Sequence, residues 1–334
     1  VYLQPGDEII VSVTGLGNLS NKIGSPSSKN YAVERITSGS SIPLTNATKA
    51  VNGTALTNIN GKSLFYQRQG NVVKPSIVFV HGLGGSTEYW NPLINELGLQ
   101  ESHSLHLFDL EGHGLSPTSP LSALSISSFA ADLHGIFEHA ELTSSGATVV
   151  AHSMGCLVAL SFALANQHLV KKLILLGPPP SPLPDAAVSG SYARAHLART
   201  QGMNAVVDAV ATAGTSTKTK TSNRIGLAAI RLSLLSQDPE GYAKACSALA
   251  GAVDALPIEK LEADTLIITG DEDKVSPPDL CRKYSERIKH SQAPVVLEGV
   301  GHWHAFEDVS GVAHAIHKFL GEAGNEKFTN GFSS

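Results

Sequence analysis

Apolar runs and polar breaks alternate along the middle of this chain at spacings that predict strands and helices in turn. Thr54 to Ile59 and Ser63 to Gln67 flank Asn60-Gly61, a dipeptide that favours a tight hairpin, so two antiparallel strands are predicted to open a sheet. Ser76-Ile-Val-Phe-Val80 shows no polar alternation and reads as a strand buried on both faces. Further strands are predicted at Leu105 to Leu110, Ala147 to Ser153, Lys172 to Gly177, Thr265 to Thr269 and Pro294 to Glu298. Between them Ile126, Phe129, Leu133, Ile136, Phe137 and Ala140 recur at helical spacing, and helices are predicted from Met154 to about Asn166 and from Val309 to Leu320. Strands alternating with helices in this order predict an α/β protein with a mainly parallel, doubly wound sheet.

The alternation fails in one place. Pro178-Pro-Pro-Ser-Pro182 stops regular structure, and the chain then stays Ala-rich and helical in character to Pro257, with no strand signal. Residues 178–257 are therefore read as an inserted helical lid that divides the sheet domain into 54–177 and 258–320. Ahead of it, residues 1–24 carry a Pro5-Gly-Asp7 turn and alternating Ile9, Val11 and Val13, the pattern of a strand with a hairpin return. Residues 25–53 are rich in Ser, Thr, Asn and Pro without hydrophobic period, as in a linker, and 321–334 read as a disordered tail.

Composition narrows the function classes. With 334 residues, 42% hydrophobic and 16% charged, the chain can bury a large core. Its net charge is −5, and the one basic cluster, Lys218, Lys220 and Arg224, lies among Ser and Thr in a predicted loop, which argues against a nucleic-acid surface. Three scattered cysteines, Cys156, Cys246 and Cys281, suit reduced thiols and a cytoplasmic protein, with Cys156 expected in the core. No apolar run approaches the roughly 18 residues that a membrane span needs. No signal segment opens the chain, although it starts at Val1 rather than methionine, so that point carries little weight. The 14 histidines include the close pairs His103/His106 and His302/His304, but neither has the carboxylate or cysteine frame of a metal site. The glycine-rich run after His81 lacks the Lys-Ser/Thr of a nucleotide cradle, so neither metal nor cofactor is expected.

The chemistry gathers where strands end. Ala151-His-Ser153-Met-Gly155 places a serine between a β-branched strand and an apolar helix, on a turn that pushes the hydroxyl clear of the sheet. A serine becomes nucleophilic only beside a base, and that base needs an acid to orient it. Gly270-Asp271-Glu272-Asp273 follows one strand and Gly301-His302-Trp303 follows the next, at the sheet edge where such groups collect. Ser153, Asp273 and His302 are the expected nucleophile, acid and base, with Asp271 and His304 as rivals for the last two roles. His81, His113, His152 and Asp109 are read as structural, and Glu111 as a residue of a surface turn.

These marks resemble the α/β-hydrolase fold of the esterase, lactonase and carbon–carbon hydrolase kind over residues 57–320: His81-Gly82, Asp109-x-x-Gly-x-Gly-x-Ser116, Ala151-His-Ser-Met-Gly155, Gly270-x-x-Asp273 and Gly301-His302. The resemblance supports the triad and implies an oxyanion hole from the backbone N–H groups of Leu83 and Met154. Tyr89, Trp90 and Trp303 are expected to line an apolar pocket. The expected substrate is a small carboxylic ester or lactone, including an enol-lactone of aromatic catabolism. Hydrolysis of a carbon–carbon bond in a ring-cleavage product is the alternative, because the spacing of Gly301-His-Trp303 and Glu307 resembles that of carbon–carbon hydrolases, as does Ser153-Met-Gly155 at the elbow, and a non-catalytic binding relative is a lesser one. Residues 1–24 separately resemble the C-terminal end of the fumarylacetoacetate hydrolase family, whose metal-binding carboxylates lie upstream of that end, so none carries over.

Overall fold

A computed structural model of the chain describes residues 8–13, 17–22 and 54–321. The chain divides into two compact units, 1–50 and 51–334. In the first, β1 (Glu8–Val13) pairs antiparallel with β2 (Gly17–Lys22), from Glu8 opposite Lys22 to Val13 opposite Gly17. This is the hairpin that the alternation predicts. The expected linker, 25–53, falls wholly outside the described residues, and the expected tail, 321–334, does so apart from Gly321.

The second unit is built on eight strands. They are β3 (Thr54–Ile59), β4 (Lys62–Gly70), β5 (Ser76–Val80), β6 (Ser104–Phe108), β7 (Ala147–His152), β8 (Val170–Leu176), β9 (Asp264–Gly270) and β10 (Val295–Leu297). Their spatial order is β10-β9-β8-β7-β5-β6-β4-β3. The pairs β3/β4 and β4/β6 are antiparallel and the rest parallel.

Strand pleat divides the core in two. Val78 and Val80 of β5, with Val149 and Ala151 of β7, face one buried cluster, while Ile77, Phe79 and Val150 face the other. The first cluster is closed by α3 (Ile126–His139), α4 (Met154–Ala165) and α10 (Pro278–Arg287), through Phe129, Phe137, Phe162 and Tyr284. The second is closed by α1 (Asn91–Leu97), the short α2 (Leu99–Ser102) and α12 (Val309–Leu320), through Leu93, Ile94, Val312 and Ile316. Helix α10 escapes the apolar pattern because it buries only Cys281 and Tyr284. Among the described residues no helix is long and apolar enough to cross a membrane.

Between β8 and β9 stand five helices: α5 (Asp185–Gln201), α6 (Asn204–Gly214), α7 (Thr217–Ser222), α8 (Arg224–Leu235) and α9 (Pro239–Ala250). The insertion is helical as expected, but Lys218 and Lys220 lie in α7 and Arg224 opens α8, not in a loop. The Ser/Thr composition that suggested a loop supplies the cap instead, since Ser216 accepts the N–H of Thr219.

Candidate active site

Strand β7 runs up the middle of the sheet and the chain turns sharply at Ser153, whose φ of 52° and ψ of −124° lie outside the regions open to most L-residues. Such a conformation costs about 1–3 kcal/mol and persists only where the surroundings enforce it. Here they do. A Cβ on Gly155 would come within 2.5 Å of the Val80 and His81 carbonyls, and one on Gly82 within 2.8 Å of Ser153 Cβ, so the two turns fit only because both lack side chains. The Ser153 N–H donates to Leu176 O at 2.9 Å, which ties the turn to the end of β8.

The loops after β9 and β10 complete the constellation. Ser153 Oγ lies 2.7 Å from His302 Nε2, and His302 Nδ1 lies 2.9 Å from Asp273 Oδ2. Ser153 is partly buried, while His302 and Asp273 are buried. Burial alone would push the Asp273 carboxyl up, but the adjoining His302 and His304 more than offset it and hold the group well below the usual carboxylate range. Asp271 instead accepts the N–H groups of Gly299 at 2.8 Å and Val300 at 3.3 Å, so it shapes the loop that carries the base. His304 also approaches the acid, its Nε2 3.3 Å from the same Asp273 Oδ2, but it makes no hydrogen bond to Ser153. The three residues expected to form the triad are thus brought together, and the two rivals are each displaced from it.

The base is fixed from several directions. The N–H of His302 donates to Gly214 O at the end of α6, and its carbonyl accepts from His152 Nε2, each at 2.8 Å. Glu307, in α11 (His304–Glu307), accepts the N–H groups of Trp303 at 3.0 Å, Gly301 at 3.1 Å and Ser216 at 2.8 Å. One carboxylate therefore joins the His302 loop to the helical insertion. The insertion is tied again where Glu272 accepts both the N–H and hydroxyl of Thr217, and where Gln237 donates to Gly84 O at 3.3 Å and accepts from Gly114 N at 3.2 Å. Sequence reasoning noticed Glu307 only for its spacing and missed Gln237 and Glu272, because a side chain spent on distant backbone groups leaves no local pattern.

The remaining expected residues occupy defined places. His81 takes the N–H of Leu110 on Nε2 at 3.0 Å and turns Nδ1 to Gly82 O at 2.8 Å, and burial pushes its imidazole down to about 4. Asp109 accepts Thr87 N at 2.7 Å and Leu115 N at 2.8 Å, as a turn-fixing carboxylate should. Glu111 departs from expectation: it is buried, and Lys62 reaches it at 2.9 Å and Asp132 at 2.8 Å, a pairing that allows these charges to leave the surface. Cys156 is in the core, and all three cysteines are buried and free of disulfides. Tyr89, Trp90 and Trp303 are each at most 3% exposed. Their rings pack on one another, on Phe79 and on Phe306, with Tyr89 stacked on His152 at 4.5 Å. Little of their surface is left for a ligand, and Tyr89 and Trp303 back His152, which donates to the His302 carbonyl.

Leu83 follows Gly82 opposite the serine, and Met154 opens α4, where first-turn N–H groups lack intrahelical acceptors. Neither N–H has a hydrogen-bond partner among the described residues.

The chain is similar to known proteins in sequence and in fold. The alpha/beta hydrolase fold family matches residues 75–309. The 3-oxoadipate enol-lactonase 2 of Acinetobacter baylyi is 25% identical over 238 residues, 70% of this chain and 85% of that protein. "Probable lysophospholipase BODYGUARD 4" of Arabidopsis thaliana is 33% identical over 127 residues, 37% of this chain, so the match spans under a third (29%) of that relative's length. The solved structure of a thermophilic esterase from Thermogutta terrifontis superposes with a TM-score of 0.73 at 25% identity, covering 81% of this chain and 98% of that one.

Proposed function

Because this chain belongs to the alpha/beta hydrolase fold family, we propose that it is a serine hydrolase that cleaves a carboxylic ester or lactone through an acyl intermediate on Ser153. The observation that carries this reading is the unbroken relay from Ser153 Oγ to His302 at 2.7 Å and from His302 to Asp273 at 2.9 Å, on a backbone turn held at positive φ. Attack by Oγ on the carbonyl carbon passes the serine proton to His302 Nε2, and the negative charge moves onto the carbonyl oxygen. The N–H groups of Leu83 and Met154 are the donors for that oxyanion, an interaction typically worth about 2.7–4 kcal/mol per donor in the transition state. Collapse of the intermediate expels the alkoxide, which takes the proton from His302. Water then enters by the same route, with His302 as base, and releases the acid and free Ser153. Asp273 keeps the Nδ1 proton in place and offsets the charge of the imidazolium.

The enol-lactonase and esterase likenesses support this substrate class. The spacing of Glu307 after His302, which had suggested carbon–carbon hydrolysis, is accounted for by its three backbone hydrogen bonds and so favours neither chemistry. A panel of p-nitrophenyl esters, lactones and ring-cleavage diketones, read beside fluorophosphonate labelling, tests the proposal. Ester or lactone turnover with the label on Ser153 alone is expected. Labelling elsewhere, or none in a folded sample, would overturn it, and turnover of the diketones alone would transfer the site to carbon–carbon hydrolysis.

A further inference from the structure

The acid at this site serves two histidines. Asp273 Oδ1 is occupied by the N–H groups of Val275 at 2.8 Å and Ser276 at 2.9 Å. That leaves Oδ2 to His302 Nδ1 at 2.9 Å and His304 Nε2 at 3.3 Å. His304 is wholly buried, and neither of its ring nitrogens makes an aligned hydrogen bond among the described residues. A buried N–H without an acceptor is costly, and the acceptor that Nε2 approaches is Oδ2. The ring packs closely against Gly177, just past the end of β8, where an added Cβ would meet His304 Cε1 at 2.5 Å.

The other titratable groups around this carboxylate are neutral or engaged. From β7, His152 is kept uncharged by burial and donates Nε2–H to His302 O. Tyr89 ahead of α1, Cys156 of α4 and Cys281 of α10 are all held in their protonated forms by burial. Glu307, on the same short helix as His304, is spent on Gly301, Trp303 and Ser216. Among the described residues, only His302 and His304 compete for Oδ2.

We propose that His304 is a positioning residue whose Nε2–H donates to the Asp273 oxygen that also receives His302, steadying the acid and weakening its pull on the base. The inference rests on the triad reading above. An acid shared between two donors stabilises the imidazolium of His302 less than an acid serving one. The base is then freed at lower pH, and the serine stays reactive further into the acid range.

The test compares His304→Leu, which removes the donor, with His304→Gln, which keeps an N–H of similar reach. The reading is the rate of fluorophosphonate labelling at Ser153 across the range in which imidazole titrates. In His304→Leu the acid limb is expected to move to higher pH by about one unit, a tenfold change in proton affinity, with the high-pH plateau near that of the unaltered protein. His304→Gln should keep the limb in place. A plateau lowered at every pH with an unmoved limb, or a limb moved to lower pH, would overturn the proposal. If neither variant folds, nitrogen-15 NMR of the unaltered protein decides: a proton on His304 Nε2 is expected, and a bare Nε2 with the proton on Nδ1 overturns it. Failure of the unaltered protein to label at Ser153 would count against the hydrolase reading instead, and the NMR measurement would still judge His304.

Discussion

The backbone N–H of His302 donates to the carbonyl of Gly214, 2.8 Å away, so the proposed base hangs from the last turn of α6 in the helical insertion. With Ser216 on Glu307 and Thr217 on Glu272, one short stretch of that insertion, Gly214 to Thr217, is fastened at three points to the segments that follow β9 and β10. Any movement of these helices away from the sheet would disturb the loop that carries His302.

Gln237 gives the insertion a second hold. It is buried, accepts the Gly114 N–H at 3.2 Å, and donates to Ser233 O at 2.7 Å and more loosely to Gly84 O and Gly85 O at 3.3 and 3.4 Å. Gln237→Leu is expected to loosen the loop carrying Leu83 and lower kcat by about tenfold to a hundredfold, in line with small misplacements at other sites. Steady-state kinetics on the best ester substrate checks this, and an unchanged kcat would sink it.

Asp273→Asn is expected to lower kcat by about 10⁴, the cost of presenting the wrong imidazole tautomer in the serine-protease template. Asp271→Asn should stay within a few-fold of the parent, because an amide oxygen can still accept from Gly299 and Val300. Single-turnover acylation rates distinguish the two. A crippled Asp271→Asn beside a nearly silent Asp273→Asn would reverse the assignment of the acid.

Glu307→Ala leaves the N–H groups of Gly301, Trp303 and Ser216 without their acceptor. It is expected to destabilise the protein by about 1–3 kcal/mol, and Glu307→Gln by less because one oxygen remains. Denaturant unfolding of the two variants measures the difference, and equal stabilities would refute the account.

Acid should weaken the fold early. Burial pushes His81 and His106 down to about 4 and His113 to about 3, and lowers His152 well below its ordinary value. Each is neutral when folded but free to protonate when unfolded, so the unfolded chain binds more protons as pH drops below about 6.5. Stability is therefore full above that value and is lost toward about pH 4, by up to about 1.4 kcal/mol per pH unit for each histidine. The depressed carboxyl of Asp273 acts in the same direction, its contribution being present above the ordinary carboxylate range and lost as pH falls further. Melting temperatures recorded from neutral pH downward should fall steadily through this window, and a flat profile would contradict it.

Much of this site was legible before any coordinates. A β-branched run stopping at Ser153, and aspartate and histidine directly after two later strands, are local patterns that imply strand ends, and parallel strands bring their ends to one edge. Helix α12 is predicted to the residue, since Val309, Val312, Ala313 and Ile316 lie on one face and Gly321 at φ 75° ends it. Short-range information is enough wherever backbone pairing and side-chain period decide the outcome.

What the sequence determined by itself was the order of elements, the strained turn at Ser153 and the choice of three residue types at three strand ends. Only the tertiary structure sets Asp273 and Asp271, two positions apart, against different partners: Asp273 against His302, and Asp271 against the N–H groups of Gly299 and Val300. It also buried Glu111 beside Lys62, turned Tyr89 and Trp303 into backing for His152, and set His304 against the oxygen that His302 uses. Each of these rests on contacts between residues tens of positions apart or more, and the free energy of a buried charge or imidazole depends on the partner that the fold delivers, not on its neighbours in the chain.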